Sequence, residues 1–276
     1  MGTLYLVATP IGNLEDMTVR ALRILGEVPL VAAEDTRSAR RLLDHFGITA
    51  RLTSYNEHNK MSKTASLLDA LATGDLAVVS DAGMPGISDP GHDLVVAAIA
   101  AGHTVVPIPG ASAVLAAVAA SGLPSRRFHY LGFLPRQSGA RRRALLDASA
   151  SGDTIVVFES PHRIGKTLAD ALAALGDRRI AVCRELTKLY EEIWRGKISD
   201  AIAYFEHPRG EFTLVIEGGA PPPDDADLAH GAAAIEDAIA SMRSEAATSK
   251  DAVAALMQRY GMSRRAAYAA WHADRG

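Results

Sequence analysis

One cysteine, Cys183, stands in a chain of 276 residues, so no disulfide can close within it and no thiolate cluster can hold a metal. Within IAVCREL it reads as a small buried strand residue rather than a nucleophile. No run of 18 apolar residues is present to span a bilayer, and the first residues enter a strand without the basic region and apolar stretch of a secretion signal. A cytoplasmic protein with no membrane partner is therefore expected. The first strand is not followed by Gly-x-Gly-x-x-Gly and no phosphate loop ends in lysine, which argues against dinucleotide and nucleoside triphosphate chemistry. Histidines come singly (His45, His58, His92, His103, His129, His162), out of metal-ligand spacing, so no metal is expected. Strong charge of either sign is also missing. At a net −3 the chain has no overall attraction for nucleic acid, and a polyanion has to be met by a local patch. One patch is visible, because residues 126–143 carry six arginines and no acid.

What is present is a soluble globular composition, 48% hydrophobic, in a chain long enough for two domains and a small third. Short apolar runs alternate with helical patterns. Residues 3–8, TLYLVA, predict a first, central strand ending in Thr9-Pro10-Ile11-Gly12-Asn13, with Thr18 as a helix cap soon after. Residues 30–33 end at Glu34-Asp35-Thr36-Arg37. A helix over 38–46 turns Leu42, Leu43 and Phe46 inward and leaves Arg40 and Arg41 outside. The stretch around which the chain is organised is residues 76–91, LAVVSDAGMPGISDPG, a strand delivering a loop of three glycines and two prolines. Glycine there lets a ligand approach the backbone and proline stiffens the path. An ordinary turn has the same residue types; recurrence of strand then Pro/Gly loop at 9–13 and 107–112 favours a ligand.

The alternation predicts an α/β fold with a parallel sheet covered on both faces in domain 1–122. A second α/β domain, 123–218, has polar breaks frequent enough for a mixed sheet, with 192–196 as an antiparallel partner of 180–183. A linker with three prolines leads to a helical domain, 224–276, with helices over 225–242, 249–260 and 263–272. The last two, joined at Gly261-Met262, have helix-turn-helix spacing, and packing by Tyr268 and Trp271 explains the same pattern. Polar loops follow nearly every strand and converge on one crevice if the strands are parallel.

The segments LVATPIGNLEDMT, AAEDTR, YNEHN, SDAGMPGISDPG, PIPGASA, LGFLPR, FESPHR, RELTK and GEFTLVIEG, in this order over residues 3–218, resemble the ribosomal RNA small subunit methyltransferase I family of the tetrapyrrole methylase superfamily. The resemblance implies a two-domain tetrapyrrole-methylase-like fold of the class III methyltransferases, S-adenosylmethionine as cofactor, and 2'-O-methylation of a cytidine in the decoding region of 16S ribosomal RNA, within the 30S subunit, by a homodimer. It places the cofactor between the domains, against Asp81, Ala82, Gly83 and Met84, against Pro109, Gly110, Ala111 and Ser112, and against Leu131 and Leu134 of the second domain. Thr9, Pro10 and Gly12 stand where tetrapyrrole enzymes have a glycine-rich first loop, a departure that favours the RNA branch.

Attack of a ribose 2'-hydroxyl on a sulfonium methyl is accelerated by alignment and desolvation, and a base assists loss of the hydroxyl proton. Candidates are Asp81, Glu159, Glu185 and Lys188, with Glu34 and Asp35 behind them, each of which serves equally as a cap or an ion-pair partner. Arg37, Arg136, Arg163, Arg184 and Lys188 are the expected phosphate contacts. The run Arg141, Arg142, Arg143 reads as exposed, either a solvated face or an RNA contact. Two alternatives remain on the residues alone: methylation of a tetrapyrrole-like small molecule on the same fold, and RNA binding without catalysis.

Overall fold

The computed structural model describes residues 1–219, 225–244, 248–260 and 264–273, which fall into two compact units, 1–219 and the helical tail beyond. The first unit is built on two five-stranded sheets. Strands β1 (Thr3–Val7), β2 (Leu30–Ala33), β3 (Arg51–Ser54), β4 (Leu76–Val79) and β5 (Thr104–Ile108) form the first, in the order β3-β2-β4-β1-β5 and parallel throughout. The first strand is interior but one place from the edge; β4 is the central one, because the chain moves outward through β2 and β3 before returning.

Right-handed crossovers in those two directions put helices on both faces. Helices α1 (Val19–Glu27) and α2 (Thr36–His45) bury Ile24, Leu25 and Leu43 on one face, while α3 (Lys60–Thr73) and α4 (His92–Ala100) bury Leu67, Leu71 and Leu94 on the other. Every residue of β4 is buried, as a strand covered on both sides requires. The helices after β1 and β4 leave on opposite faces, so these two neighbours make the switch point at which α/β sheets hold ligands beyond their carboxyl ends. Thr18 caps α1 by accepting from the Ala21 amide at 3.1 Å.

The second sheet contains β6 (Phe128–Phe133), β7 (Thr154–Glu159), β8 (Arg179–Arg184), β9 (Glu192–Lys197) and β10 (Phe212–Ile216), in the order β6-β7-β10-β8-β9. Only β6 and β7 are parallel; the other pairings are antiparallel, the mixed sheet expected. Helices α6 (Ser138–Ser149), α7 (Ile164–Leu175) and α8 (Ile198–Tyr204) cover one face through Leu145, Leu168 and Ile198. The other face receives α5 (Ala113–Ser121), which follows β5 yet packs Val114, Ala117 and Val118 on Val156, Ala181, Cys183 and Val215 of the second sheet. The stretch 113–121, grouped by sequence with the first domain, thus knits the two sheets together.

In the tail, α9 (Asp225–Ser244), α10 (Ser249–Tyr260) and α11 (Arg264–His272) share a small core of Ile239, Leu256, Ala267 and Trp271. Trp271 is buried and Tyr268 largely exposed. The expected Gly261-Met262 turn lies outside the described residues. Among the described residues no helix is long and apolar enough to cross a membrane.

Candidate active site

Beyond the switch point the loop after β1 is stitched to the loop after β4. The Thr9 amide donates to the Gly83 carbonyl at 2.9 Å, the Gly83 amide returns the bond at 3.0 Å, and the Thr9 hydroxyl donates to the Ser80 carbonyl. Gly83 has φ +77°, a conformation other residues adopt at a cost, and the turn it permits brings residues 81–84 to the rim of a cleft of about 660 Å³. The opposite wall belongs to the second sheet: Phe128, Tyr130, Phe158, Cys183 and Thr213 line the cleft beside the start of α5. Burial pushes the Cys183 thiol up to about 11, so it is a packing group rather than a nucleophile. Ser112 caps α5 by accepting from the Leu115 amide, which turns a helix N-terminus toward the cleft.

Of the residues expected to hold the cofactor, Asp81, Ala82, Gly83, Met84 and Ser112 line this cleft. Thr9, Pro10 and Gly12 lie outside its lining; Thr9 braces the Gly83 turn from below, and Gly12 abuts Lys188, whose Cγ lies 2.4 Å from where a Cβ would be. Pro109, Gly110 and Ala111 also lie behind the lining, and Gly110 is needed because a Cβ there meets that of Ala8 at 2.9 Å. Leu134 is buried in the core under the second sheet and Leu131 packs against it, so neither side chain faces the cleft.

The expected catalytic residues divide sharply. Asp81 is exposed at the rim, its amide donating to Glu34 Oε2 at 3.4 Å. Desolvation raises the carboxyls of both Glu34 and Asp81, helped by like charge: Asp81 and Asp35 act on Glu34, and Asp35 acts on Asp81. Glu159 is buried, and its two oxygens accept from the Ser160 amide (2.8 Å) and the Thr167 hydroxyl (2.6 Å), with Arg163 3.4 Å away. It fastens the 160–163 turn to α7. Lys188 donates to Glu185 and Glu211, both at 2.9 Å. Burial works to lower the lysine, but these hydrogen bonds win and raise it, so it stays an ammonium and is no base at neutral pH. Burial likewise works to raise Glu185, yet the bonds from Lys188 and the Glu211 amide hold it below the usual carboxylate range. Glu185 (φ 49°) and Thr187 (φ 67°) sit in the left-handed region, a strain that marks this turn as tightly determined by its surroundings.

The arginine expectations change too. Arg141 is buried, bound to Asp170 and to the carbonyls of Pro135 and Arg136, and Arg142 shares Asp170 at 2.6 Å. Arg142 is nonetheless half-exposed, and Arg143, beside Asp147, is mainly exposed. The α7 carboxylate 29 residues away draws Arg141 alone of the run inside, while Arg142 and Arg143 stay exposed as expected. Arg163 donates to the Leu134 and Pro135 carbonyls and Arg184 pairs with Glu192 at 2.9 Å. Arg37 is exposed and pairs with Asp35, whose carboxyl that bond lowers to about 2. With Arg40, Arg41, Thr53 and Ser54 it lines an open groove beginning beside the cleft at Asp35, next in sequence to Glu34. Arg136 is exposed.

Sequence reasoning missed Asp89, a lining residue half-buried between Ser88 and Pro90. Desolvation, then the charges of Glu34 and Asp81, push its carboxyl up to about 6 against a lowering bond from Ser80. Its neighbour Ser88 has φ 63° and shares a 2.6 Å hydrogen bond with Tyr130 across the cleft. The Asp-Pro-Gly that carries it reads as turn chemistry, which hid it.

Comparison with known proteins places this geometry in context. The family described as Tetrapyrrole (Corrin/Porphyrin) Methylases matches residues 3–202. A protein named Ribosomal RNA small subunit methyltransferase I from Halalkalibacterium halodurans is 53% identical over 220 residues, 79% of this chain and 76% of that protein. One of the same name from Synechocystis sp. is 51% identical over 225 residues, 80% and 81% of the two chains. Among solved structures, diphthine synthase superposes with a TM-score of 0.64 at 15% identity, covering 80% of this chain and 92% of that one. Uroporphyrin-III-C-methyltransferase from Thermus thermophilus gives 0.54 at 21% identity, with 78% and 94% covered. These structural likenesses speak for the fold alone.

Proposed function

The chain belongs to the ribosomal RNA small subunit methyltransferase I family of the tetrapyrrole methylases, and from that premise we propose that it transfers the methyl group of S-adenosylmethionine to the 2'-hydroxyl of a cytidine in the decoding region of 16S ribosomal RNA. The observation that carries this reading is the cleft itself. At about 660 Å³ it falls in the range of about 300–1,000 Å³ usual for small-molecule sites. Aromatic and apolar walls suit a purine, and carboxylates at the mouth suit a ligand with positive charge. The donor set therefore fits the cofactor. Bound there, S-adenosylmethionine supplies a methyl carbon already activated by a positive sulfur.

The chain's own contribution is placement and exclusion of water. The 81–84 turn, fixed by Thr9, and the start of α5 form one side of the cleft, and the Phe128, Tyr130 and Phe158 rings wall off the other. The groove of Arg37, Arg40 and Arg41 is the phosphate track in this reading, since it opens beside the carboxylate end of the cleft, and Arg136 is the second-domain contact. Arg163, Arg184 and Lys188 are already engaged with protein groups and brace loops instead.

The test is transfer of labelled methyl to 30S subunits, naked 16S ribosomal RNA and a tetrapyrrole acid in parallel, followed by mapping of the modified nucleotide. Label on one ribose 2'-oxygen of the subunit is expected. Label on the tetrapyrrole alone, or on a base, overturns the reading. A homodimer belongs to the same proposal, and light scattering at twice the chain mass checks it.

A further inference from the structure

The two parts of the helical tail carry opposite charge. Residues 220–247, which include α9, hold six acids and one arginine, whereas residues 248–276, which include α10 and α11, hold five lysines and arginines and two acids. The one arginine of the first part is engaged with α11: Arg243 lies 5.5 Å over the Trp271 ring and donates to the Trp271 carbonyl at 2.8 Å. A polyanion is therefore drawn to the last two helices and repelled by α9.

One face of α11 is suited to meet it. Ala267 and Trp271 are buried in the core of the tail, which leaves Arg265, Tyr268, Ala269 and His272, at helical spacing, in one stripe along the other side. Tyr268 is 57% exposed, yet its ring is held in direction: it lies 4.4 Å from the His272 ring, and His272 Nε2 is 3.1 Å from the Ser249 hydroxyl at the start of α10. An aromatic face kept in water and already ordered loses little further freedom when a flat group stacks on it. Ala269 beside it presents only a methyl group to an approaching ligand. Arg265 is exposed one turn before Tyr268, and Lys250, next in sequence to Ser249, is exposed as well.

We propose that this face of α11 is a docking surface for an unpaired stretch of ribosomal RNA, with a base stacked on Tyr268 and a phosphate paired with Arg265. The inference rests on the ribosomal RNA reading above and adds to it a second binding surface, carried by the tail. Paired RNA is the poorer occupant, because the major groove of an A-form duplex is too deep and narrow for side chains to read. Unstacked bases in loops and ends offer the π-face that an exposed tyrosine takes. The second helix of a packed pair is also the element by which helix-turn-helix proteins meet nucleic acid, which gives the spacing of α10 and α11 a use.

The experiment uses the full chain and measures its binding to 30S subunits and to an unpaired oligoribonucleotide at stepped salt concentrations, with a duplex of the same sequence as competitor. Tyr268→Ala should weaken binding of both by about 5–100-fold, the worth of one stacked base, and Tyr268→Phe should restore it. Arg265→Gln should lower the slope of log affinity against log salt by about 1. Glu236→Gln on α9 should leave affinity and slope as they are. The circular dichroism spectrum and S-adenosylmethionine affinity should match wild type in each variant, and methyl transfer to 30S subunits should show a raised KM at unchanged kcat. Wild-type binding by Tyr268→Ala overturns the proposal, as does a duplex that competes as well as the single strand. So does a fall in cofactor affinity as large as the fall in RNA affinity, or a change of mass in light scattering with RNA affinity intact, which makes the face a contact between copies of the chain. Wild type that neither binds nor labels ribosomal RNA overturns the function proposed above and this surface with it, whereas equal binding and labelling by wild type and Tyr268→Ala removes the surface alone.

Discussion

The two halves of 1–219 hold their loops in different ways. After β1 and β4 of the first sheet the backbone does the holding: Thr9 and Gly83 exchange amide hydrogen bonds, and glycines permit the turns. After β6, β7 and β8 of the second, charged side chains do it. Arg141 and Arg163 grip the carbonyls of 134–136, Glu159 grips the 160–163 turn, and Lys188 bridges Glu185 to Glu211. A carboxylate already bonded to protein donors has lost both its lone pairs and its basicity to the fold. At the cleft the first half leaves Glu34 and Asp89 without a paired cation among the described residues and half out of water, a condition that raises both carboxyls, that of Asp89 to about 6. The cleft carboxylates of the second half, Glu159 and Glu211, are tied into its architecture, whereas Glu34 and Asp89 of the first keep no such partner.

The sharpest way to break this contrast is at Asp170. Its oxygens receive Ser138, Arg141 and Arg142, and the side chains of Asp170 and Arg141 are only 5% and 4% exposed. Asp170→Ala strands a buried guanidinium, which costs about 3–5 kcal/mol. Urea unfolding followed by circular dichroism should show it as a large fall in midpoint. A loss under about 1 kcal/mol says that the clamp is ornamental and that the second half is held by its core alone.

A smaller effect is expected at Gly210. Its φ is +87°, and a Cβ there lies 2.5 Å from Glu185 Cγ, so Gly210→Ala both strains the backbone and displaces the partner of Lys188. Overpacking of this kind costs about 1–3 kcal/mol. Freed of Glu185, Lys188 loses one of the two bonds that raise it and should react faster with amine reagents at pH 8–9. Unchanged labelling separates the lysine from the carboxylate. In the first half, Thr18→Ala removes the α1 cap and should cost about 1 kcal/mol, the ordinary price of a cap, with no change in lysine reactivity.

Much of this division was hidden in the sequence, for reasons visible residue by residue. The strand and loop alternation was legible because β4 and its neighbours are short apolar runs closed by proline and glycine, and Thr18, the antiparallel segment 192–196 and the mixed second sheet followed from the same patterns. Strand order was not legible: nothing in residues 3–8 says that β4 lies at the centre. Side-chain fates across long separations were hidden as well. Arg141 looked exposed because Asp170 is 29 residues away, and Leu134 looked like a cleft residue until the core beneath β6 and β7 claimed it. Asp89 was overlooked because its neighbours read as a turn; its uncompensated charge becomes visible only when Glu34 and Asp81 arrive from other strands.

The finest test sets one carboxylate from each half against the other by pH. Asp89 is raised in the folded state to about 6 from an unfolded value of about 3.9, so the folded protein binds the extra proton and the stabilisation is fully present below about pH 4. It is lost as pH rises toward 6. Asp89→Asn, which cannot titrate, should therefore gain stability relative to wild type between pH 4 and 6 and hold that gain above it. Glu185 is lowered, so its contribution is present above the unfolded value of about 4.3 and is lost as pH falls through the folded one. Glu185→Gln should be less stable than wild type at pH 7, with the gap closing on acidification. Both effects are the smallest expected, because these groups keep some contact with water and screening trims them. Urea midpoints at half-unit steps from pH 3.5 to 7.5 read them; two gaps that move in the same direction mean that the halves do not differ in how they use charge.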